Sequence, residues 1–459
     1  MKDVIVIGGG AGGVAAAIRA GQLGAEVAVV EPGDLGGLCL NRGCIPTKFF
    51  LQAAGLYHDL GGSIQYGITV EGVHIDLAKL TARKNELVEY LRQGVSFLLK
   101  SKKVEVIRGS AVFQDPRAII VNNEAYTARN FIIATGSRLA PPEIPGGDLE
   151  GVINSDQALA LTAVPESVTV WGGSYLEVEF AVYFALLGSR VTLITPDATL
   201  LGPEDREICN LLTASLKEKG VTVIRKAEVK RVEKAGQGLV TTYSGSAGEA
   251  QVTGRLVLAL RQVPNLEGLG LDKAGVTWDE EGVKVDDFQR TAAGHIYAIG
   301  DITGGPRLSH RASAQGIAAA QNIHGLETKV HSRRIPRAVF TRPEIGAVGL
   351  TEREAKQAGL DYRVGLAPYS LNARAMIQME AEGFVKIISE PRYGEILGVH
   401  IIGPQAAELI GQAVAAMNAE ATVEDLVRSI SPHPSLSEAL PEAAREALGR
   451  GGALYMPSR

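Results

Sequence analysis

The run DVIVIGGGAGG, Asp3 to Gly13, reads as a buried strand entering a glycine turn and then a helix. Asp3 to Ile7 is the short apolar stretch that a parallel strand covered on both faces carries. Gly8 to Gly13 turns the chain, Val14 to Gly24 continues as a helix of small residues, and Glu26 to Val30 is a second strand. Together they form a βαβ unit. Gly8-x-Gly10-x-x-Gly13 follows the first strand directly, and Glu31 stands eighteen residues beyond Gly13, close to the roughly 20 of a dinucleotide fingerprint. Bare glycines let the backbone approach a pyrophosphate at the helix N-terminus, and Glu31 can accept from ribose hydroxyls. Without a ligand, the same pattern would serve only tight helix–strand packing.

The chain carries this unit twice. An offset of 164 residues, Val4 against Val168, lays Ser167 to Thr195 over Asp3 to Glu31 without a gap: VTVWGGS over VIVIGGG, and LLGSRVTLI over QLGAEVAVV. The fold class is therefore α/β, with two Rossmann-like dinucleotide-binding domains. Between the two copies, Asp76 to Lys100 spaces Leu77, Leu80, Leu87, Leu91, Val95 and Leu98 near a helical period and predicts an amphipathic helix. Thr127 to Ser137 contains the strand FIIATGS, and the Pro- and Gly-rich Pro141 to Gly151 reads as an interdomain connection. HIYAIGD, His295 to Asp301, is another buried strand, followed by a helix over Ser309 to His324. From Arg334 onward, strands at Phe384 to Ser389 and Ile396 to Ile402 alternate with helices at Ala406 to Met417 and Val423 to Ser429. The expected organisation is a first dinucleotide domain over 1–147, a second over 148–272, a return segment to the first over 273–333, and a C-terminal α+β domain over 334–459.

Composition narrows the function. A chain of 459 residues holds about three domains. Its 46 Lys and Arg against 51 Asp and Glu, net −5, provide no basic field for nucleic acid or an anionic membrane. Gly accounts for 54 residues, about 12% against roughly 7% in average usage, which implies tight turns or phosphate-cradling loops. No apolar run reaches the roughly 18 residues of a membrane span. Lys2 and the uncharged Val4 to Ile18 mimic a signal peptide, but Gly8, Gly9, Gly10, Gly12 and Gly13 would break its helix. Three cysteines, Cys39, Cys44 and Cys209, are too few for a disulfide framework, so a cytoplasmic location is expected.

Cys39 and Cys44 lie in GGLCLNRGCIPTK, Gly36 to Lys48, where Pro46 suits the first turn of a helix running to Leu56. The helix dipole and Arg42 or Lys48 favour a thiolate, so the pair is suited to dithiol–disulfide cycling. Buried spectator thiols are one alternative. Zinc is another, although no further Cys pair or nearby His completes a ligand set; no metal site is expected. Cys209, alone in the second unit, reads as an inert buried thiol. His433 in SPHPS, with Glu438 five residues on, is a candidate acid–base whose imidazole the carboxylate orients; alone, such a His is more often a surface-loop residue.

Taken together, these stretches resemble the flavoprotein disulfide reductases, the class I pyridine nucleotide-disulfide oxidoreductases, and among them most closely the dihydrolipoamide dehydrogenases. The carriers are GGGAGG with Glu31, GGLCLNRGCIPTK, FIIATGS, IYAIGD, FTRPEIGAVGLTEREAK at Phe340 to Lys356, GEILGVHIIGPQAAELI at Gly394 to Ile410, and HPSLSE at His433 to Glu438. The resemblance implies FAD in the first unit, held by Gly8, Gly10, Gly13, Glu31, Gly37, Thr135, Gly136, Gly300 and Asp301, with Lys48 near the reactive edge of the ring. It implies that Cys44 faces the flavin while Cys39 exchanges with substrate. It also implies a homodimer through the C-terminal domain, with His433 and Glu438 serving the other subunit's disulfide. Tyr175 matches the family's gate over the flavin, and Glu179 the partner of Lys48. Mercuric reductases carry a further C-terminal cysteine pair, whereas this chain ends GGALYMPSR; glutathione-reductase-like enzymes match the wording around the cysteines less well.

The second copy departs from the pattern. Gly172 survives in the place of Gly8, but Gly10 maps to Ser174, Gly13 to Glu177 and Glu31 to Thr195. Ser174 puts a side chain where a pyrophosphate needs bare backbone, and Glu177 adds bulk and negative charge. No Arg or Lys from Pro196 to Asp205 suggests a 2′-phosphate site, and Arg261 replaces a glycine of the family's nicotinamide segment. NAD(H) binding is therefore expected to be weak or lost, with only Gly172 and Tyr175 left on the nicotinamide side. The expected activity is electron passage between a dithiol, on a lipoyl-carrying protein or another carrier, the Cys39–Cys44 disulfide and FAD, with electrons exchanged onward with a protein carrier or another acceptor. The alternatives are an ordinary NAD-dependent dihydrolipoamide dehydrogenase with a relaxed loop, and a non-catalytic flavoprotein subunit that leaves Cys39, Cys44, His433 and Glu438 without a task.

Overall fold

The computed structural model describes residues 1–246 and 248–450; the C-terminal GGALYMPSR, read above as lacking a cysteine pair, lies outside the described residues. Strand β1 (Lys2–Ile7) leads into helix α1 (Ala11–Gln22) and strand β2 (Val27–Glu31), which pairs parallel with β1, Val4 opposite Val27. Helix α2 (Cys44–Gly62) follows. On its other side β1 pairs parallel with β3 (Glu124–Ile133), Ile5 opposite Phe131. Val4 to Ile7 are buried, as a strand in the middle of a covered parallel sheet should be.

The second unit repeats the plan with β4 (Ser167–Trp171), α3 (Tyr175–Leu186) and β5 (Arg190–Thr195), again parallel. Helix α3 is apolar almost all round. It needs to be, because Phe180, Tyr183 and Phe184 share one core with Phe50, Leu51 and Ala54 of α2, so it is sandwiched between the two units.

An antiparallel ribbon of Ser137–Ala140 and Arg261–Pro264 carries the chain out to the second unit and back. Leu269 and Leu271 then lie in the first unit's core with Phe113 and Phe131. Strand β6 (Ile296–Ala298) pairs parallel with β3, Tyr297 opposite Ile132, and helix α4 (Ser309–Ile323) packs on α1. The small residues of α1 now have a reason: a Cβ on Gly316 would come within 2.3 Å of the Gly12 carbonyl oxygen, so the two helix backbones touch.

Two sequence expectations shift. The insert helix forms over Leu77–Ser101, but its buried residues are Leu77, Val88 and Leu99, while Leu98 is 48% exposed. A stripe read near 3.5 residues per turn drifts around a straight helix by about 20° per heptad, so the core side moves from Leu98 to Leu99 by the last turn. Pro141 to Gly151 is no free connection: the Val232 N–H donates to the Pro145 carbonyl at 2.9 Å and Ile144 packs into the second unit.

The C-terminal domain is a five-stranded antiparallel sheet in the spatial order Arg337–Val339, Glu344–Gly349, Ile396–Gly403, Phe384–Ser389, Arg363–Pro368. Helices Ala406–Asn418 and Ala439–Ala447 cover it. Among the described residues no helix is long and apolar enough to cross a membrane.

Candidate active site

Three elements meet around the cysteines: the start of α2, helix α3, and the first strand of the C-terminal sheet. Helix α2 begins at Cys44, places Pro46 in its first turn where the missing N–H costs nothing, and runs to Gly62, past the expected Leu56. Cys39 sits just before it on the short helix Gly37–Asn41, which Asn41 secures by donating to the Gly37 carbonyl at 2.9 Å. Both thiols are half-buried. Cys44 donates to Cys39, and that bond, with help from the Ser309 hydroxyl and the Lys48 charge against the opposing effect of burial, lowers Cys39 to about 6. Cys44 is pushed up because it is the donor to Cys39 and because it is buried. The pair thus releases its first proton easily and retains its second. We expect iodoacetamide to alkylate the reduced protein at a steady thiolate-limited rate above about pH 6 and progressively more slowly below it; a midpoint at the ordinary thiol value would contradict the shared proton.

Lys48 lies one turn after Cys44 on α2, hence on the same face. Its Nζ sits 2.7 and 3.0 Å from the two Glu179 carboxylate oxygens, and Glu179, on α3, is 2% exposed. Glu179 also accepts the Phe340 N–H at 3.0 Å, and Lys48 Nζ stands 4.8 Å from the centre of the Phe340 ring. One ion pair therefore fixes the cysteine helix, the second unit and the C-terminal domain relative to one another.

Beside the cysteines is a cradle of bare backbone. A Cβ on Gly13 would fall 1.9 Å from the Gly8 carbonyl oxygen, so that glycine is needed for packing. Gly10 differs: a Cβ there would meet only the Gly37 Cα, at 3.8 Å, so its missing side chain leaves room above the turn. Glu31 accepts the Gly9 N–H at 2.7 Å and the Gly33 N–H at 2.8 Å at the rim. At the end of β6, Gly300 donates to Gln315 at 2.8 Å and Asp301 accepts from the Ser137 hydroxyl at 2.7 Å. Thr135 and Gly136 are braced by Asn265, whose amide donates to the Thr135 carbonyl at 2.8 Å and whose backbone N–H donates to the Gly136 carbonyl at 2.9 Å. Open space over a helix N-terminus, flanked by two carboxylates, fits a dinucleotide.

The second copy keeps the backbone and fills the space. Ser174 has φ −85° and ψ −176°, against −77° and −176° at Gly10, and the Gly172 N–H bonds the Ile194 carbonyl at 2.8 Å as Gly8 bonds Val30. Glu177, however, turns inward: it is 7% exposed, and its carboxylate accepts the Ser174 hydroxyl. Its stem crosses Gly172, where a Cβ would lie 2.6 Å from Glu177 Cγ. Burial pushes the Glu177 carboxyl up, opposed by the Ser174 hydroxyl and the backbone N–H groups of Glu177 and Ser174. Thr195, buried, accepts the Asp197 N–H at 3.2 Å. Tyr175 Oη donates to Glu204 at 2.6 Å, and Arg261, on the connecting ribbon, pairs with Glu143.

His433 and Glu438 form the expected dyad, Nδ1 to Oε1 at 2.9 Å, with Glu438 also accepting the Ser435 N–H at 2.8 Å. The imidazole is 71% exposed. Cys209 is buried, which pushes its thiol up to about 12. Sequence reasoning missed Ser309 beside Cys39, Phe340 on Glu179, and Glu204 with Arg337 beside Tyr175. Ser309, Glu204 and Arg337 lie outside the motifs quoted above, Phe340 opens FTRPEIGAVGLTEREAK without showing there which residue it meets, and each reaches the site through tertiary packing.

Comparison with known proteins agrees with this fold. A family model for pyridine nucleotide-disulphide oxidoreductases matches residues 2–316, and that family's dimerisation domain matches 335–444. Dihydrolipoyl dehydrogenase of Thermus scotoductus is 42% identical over 448 residues, 96% of each chain. Dihydrolipoyl dehydrogenase of Bacillus subtilis is 38% identical over 452 residues, 97% of this chain and 98% of that one. Among solved structures, LpdA from Mycobacterium tuberculosis aligns with a TM-score of 0.88 at 29% identity, over 96% of this chain and 99% of its own. The Cu(II) complex of the HOCl-induced flavoprotein disulfide reductase RclA from Escherichia coli aligns with a TM-score of 0.85 at 28% identity, over 96% and 98%. The chain belongs to the pyridine nucleotide-disulphide oxidoreductase family, as a flavoprotein disulfide oxidoreductase similar to the dihydrolipoyl dehydrogenases.

Proposed function

We propose that the enzyme moves electrons between a lipoyl-type dithiol and FAD through Cys39 and Cys44, and that it binds NAD(H) weakly or not at all. The observation that carries the second part is the Glu177 carboxylate, buried at the N-terminus of its own helix. Positive helix ends attract anions. Here the turn is already filled from within by that carboxyl group, and a diphosphate would have to displace it. Gly8, Gly10, Gly13, Glu31, Gly37, Thr135, Gly136, Gly300 and Asp301 would hold FAD in the first unit, where the corresponding space is open. Bound FAD supplies a two-electron acceptor beside the reduced cysteine pair.

The chain's own residues perform the thiol chemistry. The substrate thiol gives its proton to His433 of a second copy in a homodimer, and Glu438 holds that imidazole at Nδ1. The substrate thiolate attacks the Cys39 sulfur of the disulfide, and Cys44 leaves as thiolate. The second substrate thiol attacks the mixed disulfide, Cys39 leaves, and the substrate departs as a disulfide, so that two electrons now reside on the cysteine pair. Lys48, held by Glu179, places a positive charge one turn from Cys44. Electrons then pass onward to a protein carrier or another acceptor. The cysteine count favours a reducing cytoplasm.

The test is an anaerobic titration of the holoenzyme with NADH, NADPH and dihydrolipoamide in turn, following flavin bleaching. Bleaching by the dithiol alone is expected. Rapid bleaching by NADH would favour the second reading, an NAD-dependent dihydrolipoamide dehydrogenase, for which the unchanged backbone at Gly172 and Ser174 speaks.

A further inference from the structure

Leu40, Asn41, Arg42 and Gly43 separate Cys39 from Cys44. In the dithiol state no covalent bond holds the two sulfurs together, yet a disulfide closes only when the Cβ atoms stand roughly 3.5–4.5 Å apart. Cys39 sits on the short helix Gly37–Asn41, which has too few turns to be stable on its own in water. Its place is therefore set by whatever grips it from outside.

The grip falls on Asn41. Its Nδ2 reaches back and donates to the carbonyls of Asp34, Leu35 and Gly37 at 3.3, 3.1 and 2.9 Å. Its Oδ1 accepts from Arg92 twice, from Nε at 3.2 Å and from Nη2 at 3.0 Å. Arg92 belongs to the insert helix and is aimed by two carboxylates: Nη1 donates to Glu89 at 2.9 Å, and Nη2 stands 3.2 Å from Asp34. Every nitrogen of the guanidinium is engaged, and a planar fork held in this way fixes direction as well as distance. A second contact reaches the loop from the second unit, Arg42 to Asp156 at 3.4 Å, but Arg42 is 64% exposed, and exposed pairs contribute little.

We propose that Arg92 is a positioning residue for the dithiol: through Asn41 it holds the loop between Cys39 and Cys44 so that the two sulfurs stay within reach of each other when reduced. The inference rests on the cysteine cycle proposed above and adds to it a residue of the insert helix, whose remaining role in the fold is packing. With the loop released, Cys44 would no longer be held where it donates to Cys39, and the Cys39 thiolate would lose its main support.

The test is the pH dependence of iodoacetamide alkylation in the holoenzyme, reduced with a phosphine and desalted anaerobically, with modification of Cys39 read by mass spectrometry. The Cys39 thiolate displaces iodide, so the rate follows the thiolate fraction. Arg92→Met keeps the stem and removes every donor, and it should move the midpoint up by about one pH unit, the scale of one hydrogen bond to a charged group. Arg92→Lys, which has the charge without the fork, should fall between. Asn41→Ala should move the midpoint at least as far, and adding Arg92→Met to it should shift it by less than about 0.3 unit more, because the two residues act as one. Arg83→Met, on the same helix but paired with Glu86, should keep the wild-type midpoint. An Arg92→Met midpoint within about 0.3 unit of wild type, full additivity with Asn41→Ala, or an equal shift in Arg83→Met would overturn the role of Arg92. A wild-type midpoint in the ordinary thiol range would instead overturn the shared proton of the cysteine pair, whatever the variants do.

Discussion

Replacing Cys44 with serine should lower dithiol turnover by about a thousandfold or more, as expected when one sulfur of a covalent redox cycle is removed, while the protein stays yellow. The two outcomes depend on different parts of the site. Cys44 is the first residue of α2 and supports the cycle only through its sulfur. A serine hydroxyl is close in shape and suits a helix start, so α2 and the Lys48–Glu179 pair should persist. The glycine cradle is built from β1, α1 and the Gly36–Gly37 turn, which do not depend on that sulfur. Turnover with dihydrolipoamide and an artificial acceptor, read beside flavin absorbance, checks the pair of claims. Retained turnover would remove the cysteine cycle, and loss of flavin would show that the thiol has a packing role the geometry does not suggest.

The second large effect is expected from restoring the fingerprint. The double substitution Ser174→Gly, Glu177→Gly should lower the NADH KM by about tenfold or more, because an anion at a helix N-terminus is worth up to ~2 kcal/mol in partly buried settings and the Glu177 side chain would no longer fill the place of the diphosphate. Gly at 177 lies inside the helix and should cost about 1 kcal/mol of propensity, offset in part by removal of a buried carboxylate. The change should therefore appear in NADH kinetics far more than in the urea midpoint. An NADH KM equal to that of wild type would show that the nicotinamide dinucleotide is refused, or accepted, for reasons away from this turn.

How much was legible beforehand differs from residue to residue, and the differences have physical causes. Both βαβ units could be read because a buried parallel strand, a glycine turn and a small-residue helix each leave a local pattern. The loss at Ser174 and Glu177 was visible only because the chain contains its own intact copy for comparison. The sequence suggested that Glu177 would stand as bulk and charge in the ligand's way. The folded chain shows more: the side chain is drawn over Gly172 and fills the turn from inside. The dyad of His433 and Glu438 was local and legible. The contacts of Ser309, Phe340 and Arg337 were not, because each comes from far along the chain and, even for Phe340 at the head of a recognisable motif, nothing local shows which residue it will meet. The insert helix shows the limit of periodicity, where a small error in repeat length changes which leucine is buried by the seventh turn.

The placement of β6 and α4 also bears on how the molecule comes into being. The first sheet is unfinished until β6 joins β3, and the segment that completes it is made only after the whole second unit, roughly 160 residues later. At ribosomal speeds of 5–20 residues per second this is a wait of about 10–30 s, during which β3 presents an unpaired edge. Gly300 and Asp301 arrive with the same late segment. The inserted unit, contiguous in sequence, can fold first, and the first unit is complete only when α4 has closed against α1.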